Sequence, residues 1–396
     1  MTINNRWLLP QGIEEALPAE AAKLEHLRRQ LLDLYASWGY QLVMPPFIEY
    51  LESLLTGTGH DLDIQTFKLI DQLTGRSMGV RADMTPQVAR IDAHQLKQDA
   101  PNRLCYMGTV LQTRPDGFGS SRSPLQVGAE LYGHAGVESD VEILCLMLES
   151  FKIAGVENVF LDIGHVGIFR SLAAQAGLDD AQEASLFEML QRKAIPEIQA
   201  FLNELDLDSD VAAMLLSLAE LNGDESCLKR AEQCFSKADE SVKQALAYLQ
   251  DTVSKLRQRE GELNIHFDLA ELRGYHYQTG IVFAAYVPGQ GQEIARGGRY
   301  DDIGQVFGRA RPATGFSTDL KTLVNLSVNQ QTASVPSAIF APCSDDVALM
   351  TKIAELRAQG ERVIEELPGQ QGDAIAMACN RVLIQRDGQW LVEGIA

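Results

Sequence analysis

The stretch LRGYHYQTGIVF, residues 272–283, combines several groups that can bind a ligand. Within a few positions it carries a guanidinium, two phenols and an amide, those of Arg273, Tyr275, Tyr277 and Gln278. An aromatic, β-prone run predicts a strand whose alternate side chains point into one pocket. Such a wall suits a small, zwitterionic ligand that bears a ring. The plainer interpretation, an ordinary buried strand with tyrosines at its edges, stays open at this point.

The segment RADMTP, residues 81–86, is a second candidate. Asp83 and Thr85 are two positions apart, so in an extended segment both side chains point the same way. A carboxylate beside a hydroxyl is a natural acceptor pair for an ammonium group. The alternative is a helix N-terminus, because Pro86 suits a first helical turn and residues 87–96 have a helical pattern. Only one of the two side chains is needed for a cap, so both interpretations can hold.

A third candidate lies in residues 123–132, which have the pattern of a strand. Alternation places Gln126, Gly128 and Glu130 on one face of that strand. The glycine leaves room for a ligand between the two longer side chains. A buried glutamate without partners is energetically unfavourable, which favours a ligand-binding role for Glu130 over a purely structural one.

The elements that must position these residues follow from periodicity. Apolar residues recur at steps of three and four in residues 19–38, which predicts an amphipathic helix ended by Gly39. Residues 67–71 and 77–81 alternate around a Gly-containing turn, which predicts a β-hairpin. Further elements are predicted in chain order: a strand at 40–44, a helix starting at 47, strands at 104–113 and 123–132, a helix at 139–154 and a strand at 159–163.

Residues 165–260 differ from the rest because leucine, alanine, glutamate and glutamine dominate and β-branched residues become rare. This composition predicts an all-helical insertion. Strand patterns on both sides of it indicate one antiparallel sheet that the insertion interrupts. We therefore predict an α+β fold with a core, residues 1–325, and a small C-terminal α/β lobe, residues 335–396, after a polar linker.

Composition narrows the classes of function. The formal net charge is -20 and the isoelectric point about 4.8, which disfavours binding to a phosphate backbone. The six cysteines form no C-x-x-C pair and the histidines have no zinc-ligand spacing, so no metal site is predicted. No stretch approaches the roughly 18–20 apolar residues that span a bilayer. We expect a cytoplasmic protein whose partners are small molecules or other proteins.

Several motifs in a fixed order resemble a known family: GYQLVMPP, RADMTP, LQVGAELYG, LRGYHYQTGIVF, ARGGRYDDIGQVFG and PATGFSTDL. Together they are similar to the catalytic core of histidyl-tRNA synthetase. A series of ordered motifs is far more specific than any one glycine pattern. The resemblance implies a class II aminoacyl-tRNA synthetase-like fold, a mostly antiparallel sheet flanked by helices, which is usually dimeric.

The nucleotide half of the site departs from that family. This chain has Gln112 where the family carries an arginine for the α-phosphate, and Arg114 where the family has an acidic residue facing the adenine. Asp319 and Thr322 stand in the motif whose glycine and arginine hold ATP. A carboxylate near the triphosphate adds repulsion of about 1–4 kcal/mol per charge pair. The resemblance therefore implies that nucleotide activation is lost and that no residue is catalytic.

The amino-acid half of the site is kept. The histidine-binding residues that the resemblance implies are Asp83, Thr85, Gln126, Glu130, Arg273, Tyr277 and Gln278, with Arg114 as a possible further contact. In this set the α-ammonium group meets the residues around Asp83, the imidazole N–H meets Glu130, and the carboxylate meets Arg273. Gln278 stands where the family has a second tyrosine at the ring.

A pocket that holds histidine without activating it is typical of a sensor. The combination resembles the regulatory subunit of the short-form ATP phosphoribosyltransferase, the first enzyme of histidine biosynthesis. The resemblance implies a homodimer within a larger hetero-oligomer with the catalytic subunit, L-histidine as effector, and neither a cofactor nor tRNA as ligand. Allosteric inhibition requires histidine to bind two states differently, with coupling of about 1–3 kcal/mol. The alternatives are a divergent aminoacyl-adenylate-forming ligase and a histidine-binding protein without a partner.

Overall fold

The computed structural model describes residues 7–56, 60–115, 121–271, 274, 277–328 and 337–395. These residues fall into two compact units. The larger comprises Leu24–Val328 with residues 7–16, and the smaller comprises residues 337–395 with Leu17–Lys23.

The fold is α+β. The helices that the described residues form are α1 (Pro18–Ser37), α2 (Leu51–Leu54), α3 (His60–Gln65), α4 (Thr85–Arg90), α5 (Val137–Ala154), α6 (Val166–Ala176), α7 (Asp180–Gln191), α8 (Ile195–Glu204), α9 (Ser209–Ser217), α10 (Ser226–Cys234), α11 (Glu240–Glu260), α12 (Leu320–Leu326) and α13 (Val347–Ala358). The strands are β1 (Gln41–Leu42), β2 (Ile48–Tyr50), β3 (Phe67–Ile70), β4 (Ser77–Val80), β5 (Asn102–Thr109), β6 (Leu125–Tyr132), β7 (Phe160–His165), β8 (Asn222–Gly223), β9 (Asn264–Asp268), β10 (Ile281–Tyr286), β11 (Ala295–Arg299), β12 (Ala313–Asp319), β13 (Ala338–Ala341), β14 (Arg362–Glu365), β15 (Arg381–Arg386) and β16 (Gln389–Gly394).

A nine-stranded sheet forms the centre of the larger unit, in the order β1-β5-β6-β12-β11-β10-β7-β9-β8. The pairs β1–β5 and β7–β9 are parallel, and the other pairs are antiparallel. The mostly antiparallel sheet predicted from the sequence is thus confirmed. Strands β5 and β6 are neighbours in sequence, whereas β12, which pairs with β6, begins only at Ala313, and β11, which pairs with β12, begins at Ala295.

Two smaller sheets accompany it. Strands β2, β4 and β3 form a three-stranded antiparallel sheet, which confirms the hairpin predicted around residues 73–76. In the smaller unit, β14-β13-β15-β16 form a four-stranded sheet, and β15 and β16 form a hairpin around Asp387 and Gly388.

The helical segment after β7 shares its core with the large sheet. One hydrophobic cluster contains buried side chains of β12, of α5 and of α7 and α11, for example Phe316, Phe151, Leu190 and Leu249. Helix α11 packs against α5 and α6. Burial of this apolar surface is the main stabilising contribution to the unit, so the helical segment and the sheet depend on the same core.

The strand expected over residues 272–283 is wrong at its beginning, because β10 starts only at Ile281. Gly274 has a φ of +67°, and its carbonyl accepts hydrogen bonds from the backbone N–H of Tyr277 (2.9 Å) and Gln278 (2.8 Å). A left-handed residue and a closed turn cannot continue a strand. Tyr277 and Gln278 therefore reach their positions from a turn and not from strand alternation.

Two helix predictions also need correction. The helix expected from residue 47 begins as strand β2, and only Leu51–Leu54 and then His60–Gln65 are helical. The helix expected at 87–96 begins at Thr85, and its second half, Ile91–Leu96, is π-helical. Among the described residues, no helix is both long and apolar enough to cross a membrane.

Candidate ligand-binding site

A cavity of about 90 Å³ lies against strands β6, β10, β11 and β12 of the large sheet. The sheet register explains why the wall is open there. Glu130, Gly315 and Gly298 are direct neighbours on adjacent strands, so they form one row on the same face. All three line the cavity. Two glycines in a row beside a glutamate form a floor whose missing side chains leave room for those of Glu130 and Gln278.

The glycines of this floor are required sterically. A Cβ on Gly315 would overlap Oε2 of Glu130, and a Cβ on Gly298 would lie 2.7 Å from Oε1 of Gln278. In the next row, a Cβ on Gly128 would lie 2.5 Å from the hydroxyl of Tyr106. Distances below about 3 Å leave no room for a methyl group. We call Gly128, Gly298 and Gly315 the glycine floor.

Glu130 is the most buried carboxylate of the cavity, with 1% of its surface exposed. Its Oε1 accepts hydrogen bonds from the hydroxyls of Tyr106 (2.9 Å) and Thr85 (3.1 Å), and its Oε2 accepts one from Tyr300. Burial raises the pKa of Glu130 to about 8. The hydrogen bonds from the three hydroxyls lower this pKa, and the nearby charge of Asp83 raises it. The carboxyl is thus held rigidly and is sensitive to any charge that enters the cavity.

Asp83 lies at the N-terminus of helix α4 and also lines the cavity. Its Oδ1 accepts a hydrogen bond from the backbone N–H of Thr85 (3.0 Å) and one from the amide of Gln126 (2.7 Å). The same glutamine accepts from the backbone N–H of Met84 (3.0 Å) through its Oε1. Both of these hydrogen bonds end on Oδ1, so in the described part of the chain Oδ2 is the oxygen that can meet a ligand. The N-cap position of α4 is Met84, without a side-chain cap, so the side-chain cap considered from the sequence is wrong. Asp83 binds the first N–H of the helix from the position before the cap and also lines the cavity.

The predicted site residues occupy different positions around the cavity. Those that line it are Asp83, Thr85, Glu130, Tyr277 and Gln278. Gln126 does not line it but holds Asp83 and the first turn of α4. Arg114 is exposed and is also not part of the lining. Arg273 lies outside the described residues, as does Tyr275, so the carboxylate contact assigned to Arg273 stays a prediction.

Gln278 is buried, with 5% of its surface exposed, whereas Tyr277 is 45% exposed. The Tyr277 hydroxyl lies close to the turn at Gly274, because a Cβ added to Gly274 would be 2.7 Å from it. The amide oxygen of Gln278 has no hydrogen-bond partner among the described residues. A buried acceptor without a donor is unusual, and this one belongs to the cavity wall.

The sequence reasoning missed several residues of the cavity: Tyr300, Glu271, Arg296 and Ser317 line it, and Tyr106 lies directly behind Glu130. Strand alternation could have found Arg296 and Ser317, because they are opposite each other and two positions from Gly298 and Gly315. Tyr106 and Tyr300 could not be found this way. Their approach to Glu130 depends on strand pairings that one sequence does not reveal.

Two residues of the expected nucleotide half have structural roles. Asp319 is the N-cap of α12, and it accepts from the backbone N–H of Leu125 (2.8 Å) and from the hydroxyl of Thr322 (3.0 Å). Burial raises its pKa. Gln112 is buried and pairs with Thr66 in an isolated antiparallel β-bridge. Neither Asp319 nor Gln112 lines the cavity.

The opposite face of the sheet is anchored by a buried ion pair. The guanidinium of Arg299 in β11 binds Asp140 in α5 through two nitrogens, at 3.1 and 3.0 Å. Tyr248 of α11 donates to the same carboxylate at 2.5 Å. Arg299 lies between Gly298 and Tyr300 in the chain, so this network fixes the strand that carries Gly298 of the glycine floor. Nowhere in the described part of the chain do three or more potential metal ligands cluster.

Comparison with known proteins agrees with this architecture. The family model for histidyl-tRNA synthetase matches residues 12–323. A crystal structure described as an ATP phosphoribosyltransferase regulatory subunit/histidyl-tRNA synthetase from Bacillus halodurans superposes with a TM-score of 0.83 at 27% identity. It covers 95% of this chain and 97% of that chain. The fold is that of the histidyl-tRNA synthetase-like class II proteins, as expected from the motifs.

The particular family follows from the closer relatives. The ATP phosphoribosyltransferase regulatory subunit of Thioalkalivibrio sulfidiphilus is 66% identical, with 99% of both chains covered. That of Alkalilimnicola ehrlichii is 60% identical over 97% of this chain and 96% of its own. The model for the C-terminal domain of the ATP phosphoribosyltransferase subunit HisZ matches residues 336–393. The chain belongs to the family of ATP phosphoribosyltransferase regulatory subunits.

Proposed function

We propose that this chain is the non-catalytic regulatory subunit of a short-form ATP phosphoribosyltransferase, in the first step of histidine biosynthesis. It activates the catalytic subunit and transmits feedback inhibition by L-histidine, which binds in the cavity over the glycine floor. Support for the partner comes from the family to which the chain belongs. Support for the effector comes from the chemistry of the cavity.

The observation that carries the proposal is the set of acceptors around that floor. Asp83, Glu130 and Gln278 present two carboxyl groups and an amide oxygen to one small cavity. Histidine carries an ammonium group and, on its neutral imidazole, one ring N–H, which are the donors that such acceptors bind.

The role of each residue follows from its position. The second oxygen of Asp83 accepts from the α-ammonium group, and Gln126 keeps Asp83 in place without touching the ligand. Glu130 accepts from the imidazole. The carboxylate is assigned to Arg273, with Arg114 as a further candidate, and these two assignments rest on the motif alone.

Regulation requires that histidine favour one state of the assembly. We propose that the chain acts as a homodimer within a hetero-oligomer with the catalytic subunit, and that no cofactor, metal or tRNA takes part. A differential affinity of about 1–3 kcal/mol between an active and an inhibited state is enough for feedback control. The net charge of -20 agrees with a protein partner and not with a nucleic acid.

The test is a reconstitution. The catalytic subunit is assayed alone and with this chain, at increasing histidine concentration. We expect phosphoribosyl transfer to rise when the chain is added and to fall again as histidine is added. If the chain changes neither the rate nor the response to histidine, the proposal is wrong.

A second candidate is an aminoacyl-adenylate-forming ligase, because the histidyl-tRNA synthetase model matches residues 12–323. It would need cations for the triphosphate, and the sequence has Gln112 and Asp319 at two of the expected positions. ATP–pyrophosphate exchange with histidine separates the two candidates. Robust exchange would favour the ligase, and its absence together with a regulated transferase would favour the regulatory subunit.

A further inference from the structure

The end of the cavity away from Glu130 carries a cation. Glu130, Gly315 and Gly298 form one row across β6, β12 and β11. Two positions along, the next row on the same face contains Ser317 and Arg296, which are direct partners, and both line the cavity. Two positions along a strand span about 7 Å. A histidine molecule whose ring lies over the first row therefore reaches the second row with its backbone groups.

The charges of the cavity make this cation important. The described lining contains three carboxyl groups, those of Asp83, Glu130 and Glu271, and one guanidinium, that of Arg296. A ligand carboxylate is repelled by whichever of these carboxyl groups are ionised, unless a cation faces it at short range. An arginine suits this task because its planar guanidinium can bind both oxygens of a carboxylate.

The residue assigned to the ammonium group is held from the same end of the cavity. Gln126 is two positions from Gly128, which is the β6 residue that pairs with Ser317. The amide of Gln126 donates to Oδ1 of Asp83 at 2.7 Å. An α-amino acid carries its ammonium group and its carboxylate on one carbon, so the partners of the two groups must lie near each other. The positions of Asp83 and Arg296 agree with this requirement.

The guanidinium of Arg296 also lies 3.5 Å from Glu293, and half of the arginine side chain is exposed. An exposed ion pair of this length contributes little to stability. A ligand carboxylate inside the cavity interacts more strongly, because water and salt screen the charges less there. Exchange of Glu293 for the ligand is therefore favourable.

We propose that Arg296 binds the carboxylate of the ligand and so makes the cavity selective for an amino acid over the amino alcohol that lacks this group. The inference rests on the proposed function, because it takes histidine as the ligand. It adds a cation of β11 to the assignment of Arg273, which rests on the motif alone. Removal of the Arg296 guanidinium should weaken the binding of a ligand with a carboxylate and should not weaken the binding of one without it.

Calorimetric titration of the full chain with L-histidine and with L-histidinol tests the inference. In L-histidinol a hydroxymethyl group replaces the carboxylate, while the ring and the ammonium group stay. We expect the wild-type chain to prefer L-histidine by at least tenfold, a factor that a charge-assisted contact reaches. Arg296→Met should bind L-histidine at least tenfold more weakly and L-histidinol equally well or better, because the variant no longer repels the ammonium group. Arg296→Lys keeps the charge and should keep part of the preference.

Arg192→Met is the matched control. Arg192 is also exposed, with 60% of its side chain accessible, and it pairs with Glu197 at 2.9 Å, but it does not line the cavity. Its substitution changes the net charge by the same amount and should leave both affinities unchanged. Thermal unfolding of Arg296→Met should give nearly the wild-type unfolding temperature, because substitutions of exposed side chains seldom change stability much.

Several outcomes would overturn the inference, and they differ in what they mean. If Arg296→Met keeps the preference for L-histidine while Arg273→Met loses it, the carboxylate contact belongs to Arg273 alone. If Arg296→Met weakens both ligands equally, or if the wild-type chain binds both equally well, Arg296 does not read the carboxylate. In these cases histidine binding itself stands. If the wild-type chain binds no L-histidine, the proposed function falls together with the inference.

Discussion

Glu130→Gln should remove a pH dependence of folding that the wild-type chain carries. Burial raises the pKa of this carboxyl from 4.5 to about 8. Between these two values the folded chain holds a proton that the unfolded chain has released. Folding then becomes less favourable as pH rises, because stability falls wherever the native state binds more protons. Below pH 4.5 both states are protonated, so the full contribution is present there and is lost as the pH rises through about 8.

The magnitude follows from the size of the interval. From 4.5 to about 8 is about 3.5 pH units, and each unit corresponds to about 1.4 kcal/mol. The whole contribution is thus roughly 5 kcal/mol, and about 4 kcal/mol of it is lost between pH 5 and pH 8. Glutamine resembles the protonated carboxyl in size and does not titrate, so the variant keeps the neutral form at every pH.

The assay is urea unfolding of the wild-type chain and of Glu130→Gln at pH 5, 6, 7 and 8. All other titrating groups are shared, and their contributions cancel in the difference between the two chains. We expect the free energy of unfolding of the wild type, relative to the variant, to decrease steadily over this range. If the difference in free energy of unfolding between the two chains stays constant from pH 5 to pH 8, burial does not hold the proton on Glu130.

Two further substitutions test the frame around the cavity. Gly315→Ala places a methyl group where Oε2 of Glu130 lies. We expect it to lower the free energy of unfolding by about 1–3 kcal/mol in urea unfolding and to weaken histidine binding in calorimetry. Gly291→Ala is the control: a Cβ there meets no atom within 4 Å, so it should change neither quantity. Arg299→Met leaves Asp140 as an unpaired buried carboxylate and should cost about 3–5 kcal/mol in the same unfolding assay. An effect below about 1 kcal/mol would show that this ion pair does not anchor β11.

Much of the fold could be predicted from the sequence where the pattern is local. The hairpin around residues 73–76 follows from alternation and a glycine turn, and β3 and β4 confirm it. Alternation in β6 placed Gln126 and Glu130 on one face, and both side chains point towards the N-terminus of α4, where they contact Asp83 and Thr85. The ordered motifs predict the arrangement of the sheet, because a family resemblance carries information on long-range strand pairing that periodicity alone does not contain.

The sequence failed where conformation or pairing is not local. A strand over residues 272–283 was expected from its aromatic residues, but Gly274 takes a positive φ and closes a turn. The hydroxyls of Tyr106 and Tyr300 meet Glu130 only because β5, β6, β12 and β11 are adjacent. In each case the deciding interaction joins residues that are far apart in the chain or depends on a backbone angle that side-chain preference does not fix.

The most direct test of the central claim is the histidine dose response of the reconstituted transferase with Asp83→Asn. Asparagine can keep the bond from the N–H of Thr85 through its oxygen, but it removes the charge that we assign to the ammonium group. A charge-assisted contact is worth about 1.5–3 kcal/mol, so half-maximal inhibition should need at least tenfold more histidine, with the rate in the absence of histidine unchanged. Asp319→Asn is the matched control, because Asp319 also accepts a backbone N–H two positions further along, at the start of a helix, but does not line the cavity. An unchanged dose response with Asp83→Asn would contradict the claim that histidine regulates the enzyme from this cavity.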